Sequence, residues 1–286
     1  MWGSTYLAIR VMVETIPPLL GAGFRFLTAG AVLYGWIWFR GGRPRLRIGG
    51  RELLASLLIG VLFFPGGNGL VTLAEKEAPS GLAALIIAAI PLWVIVFRLA
   101  SRERVPRVTL GGVAAGFVGV GILIAPGSHA AGIALWSLLT LVAASFCWAL
   151  GSFLSPRAPL PHDVLLATAA EQVLGGVVLI CIGFAAGETL DVGAWSGRSL
   201  GGFAYLVTAG SLLAFTAYVW LLHNAPISTV ATYAFVNPIV AVLLGWWILS
   251  EQLTKEMLIA AVVIVGSVAL VVRTERYGEP TPSEVH

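Results

Sequence analysis

Arg25 and Glu171 are charged side chains set inside long apolar runs. Charge is costly to bury in such a run, and where it persists it marks a candidate functional group. Arg25 cannot give up its proton, so the chemistry open to it is attraction. Its target is either an anionic group on a solute, or exposed carbonyls and a nearby carboxylate such as Glu14. Glu171 can take up and release a proton; the structural alternative is a fixed hydrogen bond to backbone or hydroxyl. Asn68 lies within Pro65-Gly66-Gly67-Asn68-Gly69, and Asn237 directly precedes Pro238. Each amide therefore sits where the helical ladder is expected to open, and where side chain and backbone can both meet a ligand. Trp2, Tyr6, Trp93, Trp148, Trp220 and Tyr233 also fall within apolar segments. Their rings can stack on an organic solute, attract a cation through the ring face, or simply pack.

The elements that must hold these residues come from a repeat. Ala78-Pro79 followed by Ile90-Pro91 recurs as Ala225-Pro226 followed by Asn237-Pro238, with 147 residues between matching positions. Both copies read as a turn proline, an apolar helix, and a second proline partway along. An interior proline removes a hydrogen bond and clashes one turn back. The freed carbonyl is tolerated where protein or a water-filled cavity surrounds it. Matched interruptions in two halves are the best sequence pointer to a transporter's binding site, which places Pro91 and Pro238 beside it. The alternative is that both prolines only help packing. Trp2 and Trp148 correspond at nearly the same shift, as do Arg25 and Glu171.

Composition fixes the class. Of 286 residues, 58% are hydrophobic and 11% charged, and mean hydropathy is +0.92, against about 25% charged residues in soluble domains. A helix crossing the hydrocarbon core takes about 20 apolar residues. Ten such segments can be placed, which predicts an all-α membrane protein with ten transmembrane helices. The first, from Met1, is too short to span. By comparison with the run before Trp148, it is expected to lack its first half. Five helices per half is an odd number, so the two halves are expected to be inverted: residues 1–126, then 127–273, with 274–286 a disordered tail. Helix 3 is expected to be interrupted at Pro65–Gly69. Helix 9 is expected from about Ser228.

Twelve of the 17 Lys and Arg fall in loops on one side, including Arg43 and Arg45. Their bias predicts cytoplasmic termini. Glu75 and Glu251 fall on the other side, which does not contradict that orientation. Trp36, Trp38, Trp136, Trp246 and Trp247 sit near helix ends, as interface anchors do. Gly112, Gly116 and Gly119 form a small-residue face that predicts an internal helix contact rather than a dimer face; the chain is expected as a monomer or homodimer. Cys147 and Cys181 read as small hydrophobes. The histidines, His129, His162, His223 and His286, are scattered and suggest no metal set. No signature of metalloprotease, nucleotide-binding or serine-hydrolase chemistry is present, so no cofactor, metal or enzyme activity is expected, and the net charge of +3 does not suggest nucleic acid.

Trp2-Gly3-Ser4-Thr5-Tyr6, Arg25-Phe26, Ala78-Pro79 with Pro91, and Ala225-Pro226 with Pro238 and Glu251 together resemble an EamA-type member of the drug/metabolite transporter superfamily. The resemblance covers almost the whole chain. It implies ten helices from two inverted five-helix repeats, a central cavity lined by helices 1, 3, 4, 6, 8 and 9, and a place in a prokaryotic inner membrane. It further implies secondary transport, by export or exchange, of a small organic solute such as an amino acid, metabolite or organic cation. A proton is a further expected partner, alongside the lipid bilayer. The rival readings are a non-transporting structural subunit and an intramembrane enzyme, with a lipid flippase as a variant.

Overall fold

The computed structural model describes residues 1–41, 47–125, 133–225, 230 and 233–278. Arg43, Arg45, His129, Pro226, the expected start of helix 9 at Ser228, and residues 279–286 lie outside them. Among the described residues the chain is all-helical, without strands. Its helices are α1 (Trp2–Met12), α2 (Pro18–Gly41), α3 (Gly50–Ala74), α4 (Ser80–Ala100), α5 (Arg107–Ile124), α6 (Leu135–Leu154), α7 (Val164–Ala185), α8 (Gly197–Asn224), α9 (Tyr233–Leu249) and α10 (Lys255–Gly278). Eight are long and apolar enough to cross a membrane; α1 and α9 are shorter. The helix α10 carries through Thr274 to Gly278, where a disordered tail was expected to begin. No proline interrupts it, and the Thr274 hydroxyl bonds back to the Leu270 and Val271 carbonyls.

Local side chains cap two of the helix starts. Asp163 caps α7 by accepting from the amides of Leu165 and Leu166, and Ser196 caps α8 by accepting from Ser199. Two caps come from distant sequence. The Glu188 carboxylate accepts from Leu19 and Leu20 at the start of α2, at 3.0 and 2.8 Å. The Glu251 carboxylate accepts from Ser80 and Gly81 at the start of α4, at 2.8 and 3.1 Å. Each places a negative charge on a helix N-terminus, where the backbone dipole favours it.

The interior prolines act in three ways. In α4 the helix ends at Ile87 and restarts at Ile90, with Pro91 in the first turn of the second piece; this is the expected break. In α9, Pro238 lies inside an unbroken helix, Tyr233–Leu249, so the second expected break is absent. A single missing donor costs one rung, which the rest of the ladder can span. In α3, Pro65 neither breaks nor ends the helix. The segment Phe64–Gly69 widens to a π-helix and the chain continues into Leu70–Ala74, correcting the expected interruption. A second π stretch, Leu206–Phe215, lies in α8, where the sequence offers no proline.

Helix packing is closest where glycines meet. A Cβ on Gly176 of α7 would lie 2.7 Å from the Leu27 amide nitrogen of α2, and one on Gly30 of α2 would lie 2.9 Å from the Val173 amide nitrogen. The α5 glycines face α10 at Val271 and Ile264 and α4 at Leu92, which is the internal contact expected of them. In the bundle α2 runs along α7, α5 along α10, and α4 against α9. The helix α1 lies between α9 and α8, and α6 between α4 and α3. Trp36, Trp38, Trp136, Trp246 and Trp247 are exposed at helix ends. Trp220 is exposed too, 52% of its surface being accessible, and is not among the inward-facing aromatics.

Candidate functional site

Between α1, α2, α3, α4, α6, α8 and α9 lies a cavity in which the centres of water-sized molecules can occupy about 50 Å³. Seven residues singled out in sequence line it: Trp2, Tyr6, Arg25, Asn68, Trp148, Tyr233 and Asn237. Phe26, Gly67, Phe215 and Gly210 join them. Pro91, Trp93, Pro238 and Glu171 do not. Pro91 is buried at the α4 break. Trp93 packs against Phe117 and Phe146, at 4.7 and 5.3 Å between centroids, and donates to the Ser145 hydroxyl. Glu171 is fully buried, with neither carboxylate oxygen hydrogen-bonded among the described residues.

The aromatic wall is built around Trp2. Its ring meets Trp148 edge-on at 5.5 Å, Tyr218 at 4.8 Å and Tyr233 at 5.0 Å, and its Nε1 donates to the Gly210 carbonyl. The Trp148 indole donates to the Tyr218 hydroxyl at 3.2 Å, which also bonds the Ser152 hydroxyl at 2.5 Å. Such edge-to-face pairs and shared polar tips hold the rings in fixed orientations. Gly67 is required beneath Trp148: a Cβ there would lie 2.8 Å from the indole ring. Gly3 does the same for α1 on α9, since a Cβ would lie 2.9 Å from the Asn237 carbonyl.

Arg25 enters from α2 and is only 3% exposed. Its Nε donates to the Ser211 hydroxyl at 2.8 Å, and its guanidinium lies 4.5 Å from the Phe26 ring centroid. The Gln172 amide donates to the Ser211 carbonyl at 3.3 Å, so α2 and α7 both hold the π stretch of α8. Glu14, the carboxylate considered for Arg25, instead pairs with Arg198 at 3.6 Å. On the α3 side the Asn68 amide donates to the Phe63 carbonyl, and Thr72 donates to that of Asn68. The π-helix of α3 is thereby partly satisfied by its own side chains.

Sequence reasoning missed Ser211, Gln172 and Tyr218. It also named Glu75 only as an outer acidic residue and did not foresee its burial: Glu75 is fully buried just past the end of α3 with both oxygens unpartnered among the described residues. Burial, and next the charge of Glu251, hold its carboxyl well above the usual carboxylate range; Arg10 and Arg25 pull the other way. Arg10 sits close by, donating to the backbone carbonyls of Glu75 and Lys76. An acid raised in this way gives its full stability below its unfolded-state value and loses it as pH rises towards the folded-state value. Glu75→Gln should therefore flatten the fall in the detergent-solubilised unfolding midpoint between acid and neutral pH. A wild-type slope in the variant would exclude Glu75 as its source.

Comparison with known proteins gives one family. The EamA-like transporter family matches residues 1–125 and 135–273. The chain is similar to YedA of Escherichia coli (strain K12), described as an inner membrane transporter: 39% identical over 276 residues, covering 95% of this chain and 87% of that one. It is 29% identical to protein PecM of Dickeya dadantii over 95% of this chain and 88% of that protein. A solved crystal structure 21% identical to it has the same fold, with a TM-score of 0.70 over 96% of this chain and 94% of that one.

Proposed function

The chain belongs to the EamA-like transporter family and is a multi-pass inner membrane transporter; from there we propose that it exports or exchanges a small organic solute by alternating access, through the cavity around Trp2. One observation carries this reading. The cavity lies where the halves meet, with Trp2, Tyr6, Arg25 and Asn68 from the first and Trp148, Phe215, Tyr233 and Asn237 from the second. A site shared between halves is one that a rocking movement would open to either side.

An inverted pair of five-helix halves, with α1 and α9 completing ten spans, is supported by the packing. Exchange of the halves maps α1 on α9 to α6 on α4, and α2 on α8 to α7 on α3; both members of each pair are in contact. The π stretches of α3 and α8 fall in corresponding places, and the corresponding tryptophans Trp2 and Trp148 touch. The cavity has room for a few waters as it stands, so an organic solute requires the halves to part. The π stretches supply backbone that can readjust. Within this reading both termini are cytoplasmic, set by the arginine bias, and no bound cofactor or nucleotide drives the cycle.

A thermal-shift screen of the purified protein in detergent tests the proposal, using amino acids, their analogues and lipophilic cations. A solute at a hundred times its dissociation constant should stabilise the protein by about 2.7 kcal/mol, and that effect should disappear in Asn237→Ala. Stabilisation that persists unchanged in that variant would place binding elsewhere. Proton coupling is assigned to Glu171, whose buried carboxyl has no hydrogen-bond partner among the described residues. Glu171→Gln should abolish the pH dependence of transport in proteoliposomes; if that dependence is retained, the proton moves through another group.

A further inference from the structure

The cavity holds one charge. Arg25 is its only acidic or basic lining residue among the described residues. The guanidinium is held by one face only: Nε on the Ser211 hydroxyl, with the group as a whole over Phe26. The Nη1 nitrogen is buried and has no hydrogen-bond partner, and Arg25 forms no ion pair among the described residues. A buried guanidinium with an unmatched N–H pair is unfavourable in the empty cavity. An anion that arrived there would relieve it. The geometry is also set in advance, because Ser211 fixes the Nε edge and Nη1 is left without a partner among the described residues.

Resting on the transporter reading above, we propose that the solute carries one carboxylate, which the Nη1 side of Arg25 receives, while its apolar body lies against Trp2, Trp148 and Tyr233. A guanidinium matches a carboxylate through short charge-assisted bonds. The charge count selects a monoanion or zwitterion over a phosphate, because among the described residues no second cationic side chain belongs to the lining to balance a second negative charge. It also disfavours an organic cation, which the aromatic rings alone would attract but the buried Arg25 would repel.

The test compares matched solutes in proteoliposomes holding the full-length protein: phenylacetate, phenylacetamide and phenethylamine, then butyrate, butyramide and butylamine. Wild-type protein should move the carboxylate of at least one set at least tenfold faster than its amide and amine. Arg25→Gln should lose that preference, and Arg25→Lys should keep part of it. Equal or faster movement of the amide or amine by wild-type protein overturns the carboxylate assignment and leaves the transporter reading intact. So does carboxylate transport undiminished in Arg25→Gln. If no member of either set moves through inserted, folded protein, the carboxylate assignment falls and the family reading stands. The wild-type comparison stands even where a substitution at Arg25 prevents folding.

Discussion

Gly176→Val is expected to remove most of the folded protein. A side chain at Gly176 meets backbone, not another side chain: its Cβ would lie 2.7 Å from the Leu27 nitrogen and 2.9 Å from the Gly23 carbonyl oxygen. No rotamer change on α2 relieves that clash, so α2 and α7 must move apart. Overpacking a close-packed interior costs about 1–3 kcal/mol where side chains can give way, and more is expected where they cannot. Folded proteins hold only about 5–15 kcal/mol in reserve. The consequences reach the cavity, because α2 carries Arg25 and α7 carries Gln172, the two residues that hold Ser211. Gly35 on the partner helix α2 has no neighbour within 4 Å of its Cβ position, so Gly35→Ala is the control and should be neutral or mildly stabilising. Fluorescence-detected size exclusion of detergent extracts measures both. A wild-type peak and unfolding midpoint for Gly176→Val would show that the helices do not meet as closely as described.

Asn237→Ala is expected to reduce transport about tenfold, equivalent to ~1.4 kcal/mol, with expression and insertion unchanged. Asn237 lines the cavity from α9, and Tyr233 lies one turn before it. Loss of this half-buried amide from the cavity wall removes a hydrogen bond that solute can use, while alanine suits the helix at least as well. Trp93→Phe supplies the contrast. Trp93 packs against Phe117 and Phe146, outside the cavity lining, so transport should stay within about twofold of wild type; its loss of the bond to Ser145 should appear as a lower unfolding midpoint instead. Initial rates in proteoliposomes, normalised to inserted protein, separate the two. Equal rates for Asn237→Ala and wild type, or a tenfold loss in Trp93→Phe, would reverse the assignment.

The repeat made part of the cavity lining legible. Trp2 and Trp148 were paired by a near-constant shift, and they touch. Pro91 marked the α4 break because proline changes backbone bonding wherever it stands. Proline alone does not say whether the ladder breaks, kinks or widens, and the three cases in α4, α9 and α3 differ for that reason. The π stretch of α8 had no proline to mark it, and the contacts it receives from Arg25 and Gln172 at Ser211 come from distant helices. Ser211 and Gln172 were hidden because one small or neutral polar residue in an apolar helix gives no periodic signal. Trp220 was misplaced by helical phase. It lies two residues, about 200°, from Tyr218, which faces inward and carries the wall. The burial of Glu75 was not legible because chain position puts it in a turn, while packing closes over that turn.

Access to the cavity is the most direct measure of the central claim. Val71 lines the cavity from α3 and is buried, and the two native cysteines, Cys147 and Cys181, can be replaced by serine. In oriented membrane vesicles, Val71→Cys on that background should react with a membrane-impermeant maleimide from either side, and more slowly when transported solute is present. Reaction from one side only, or from neither, would contradict alternating access through this cavity.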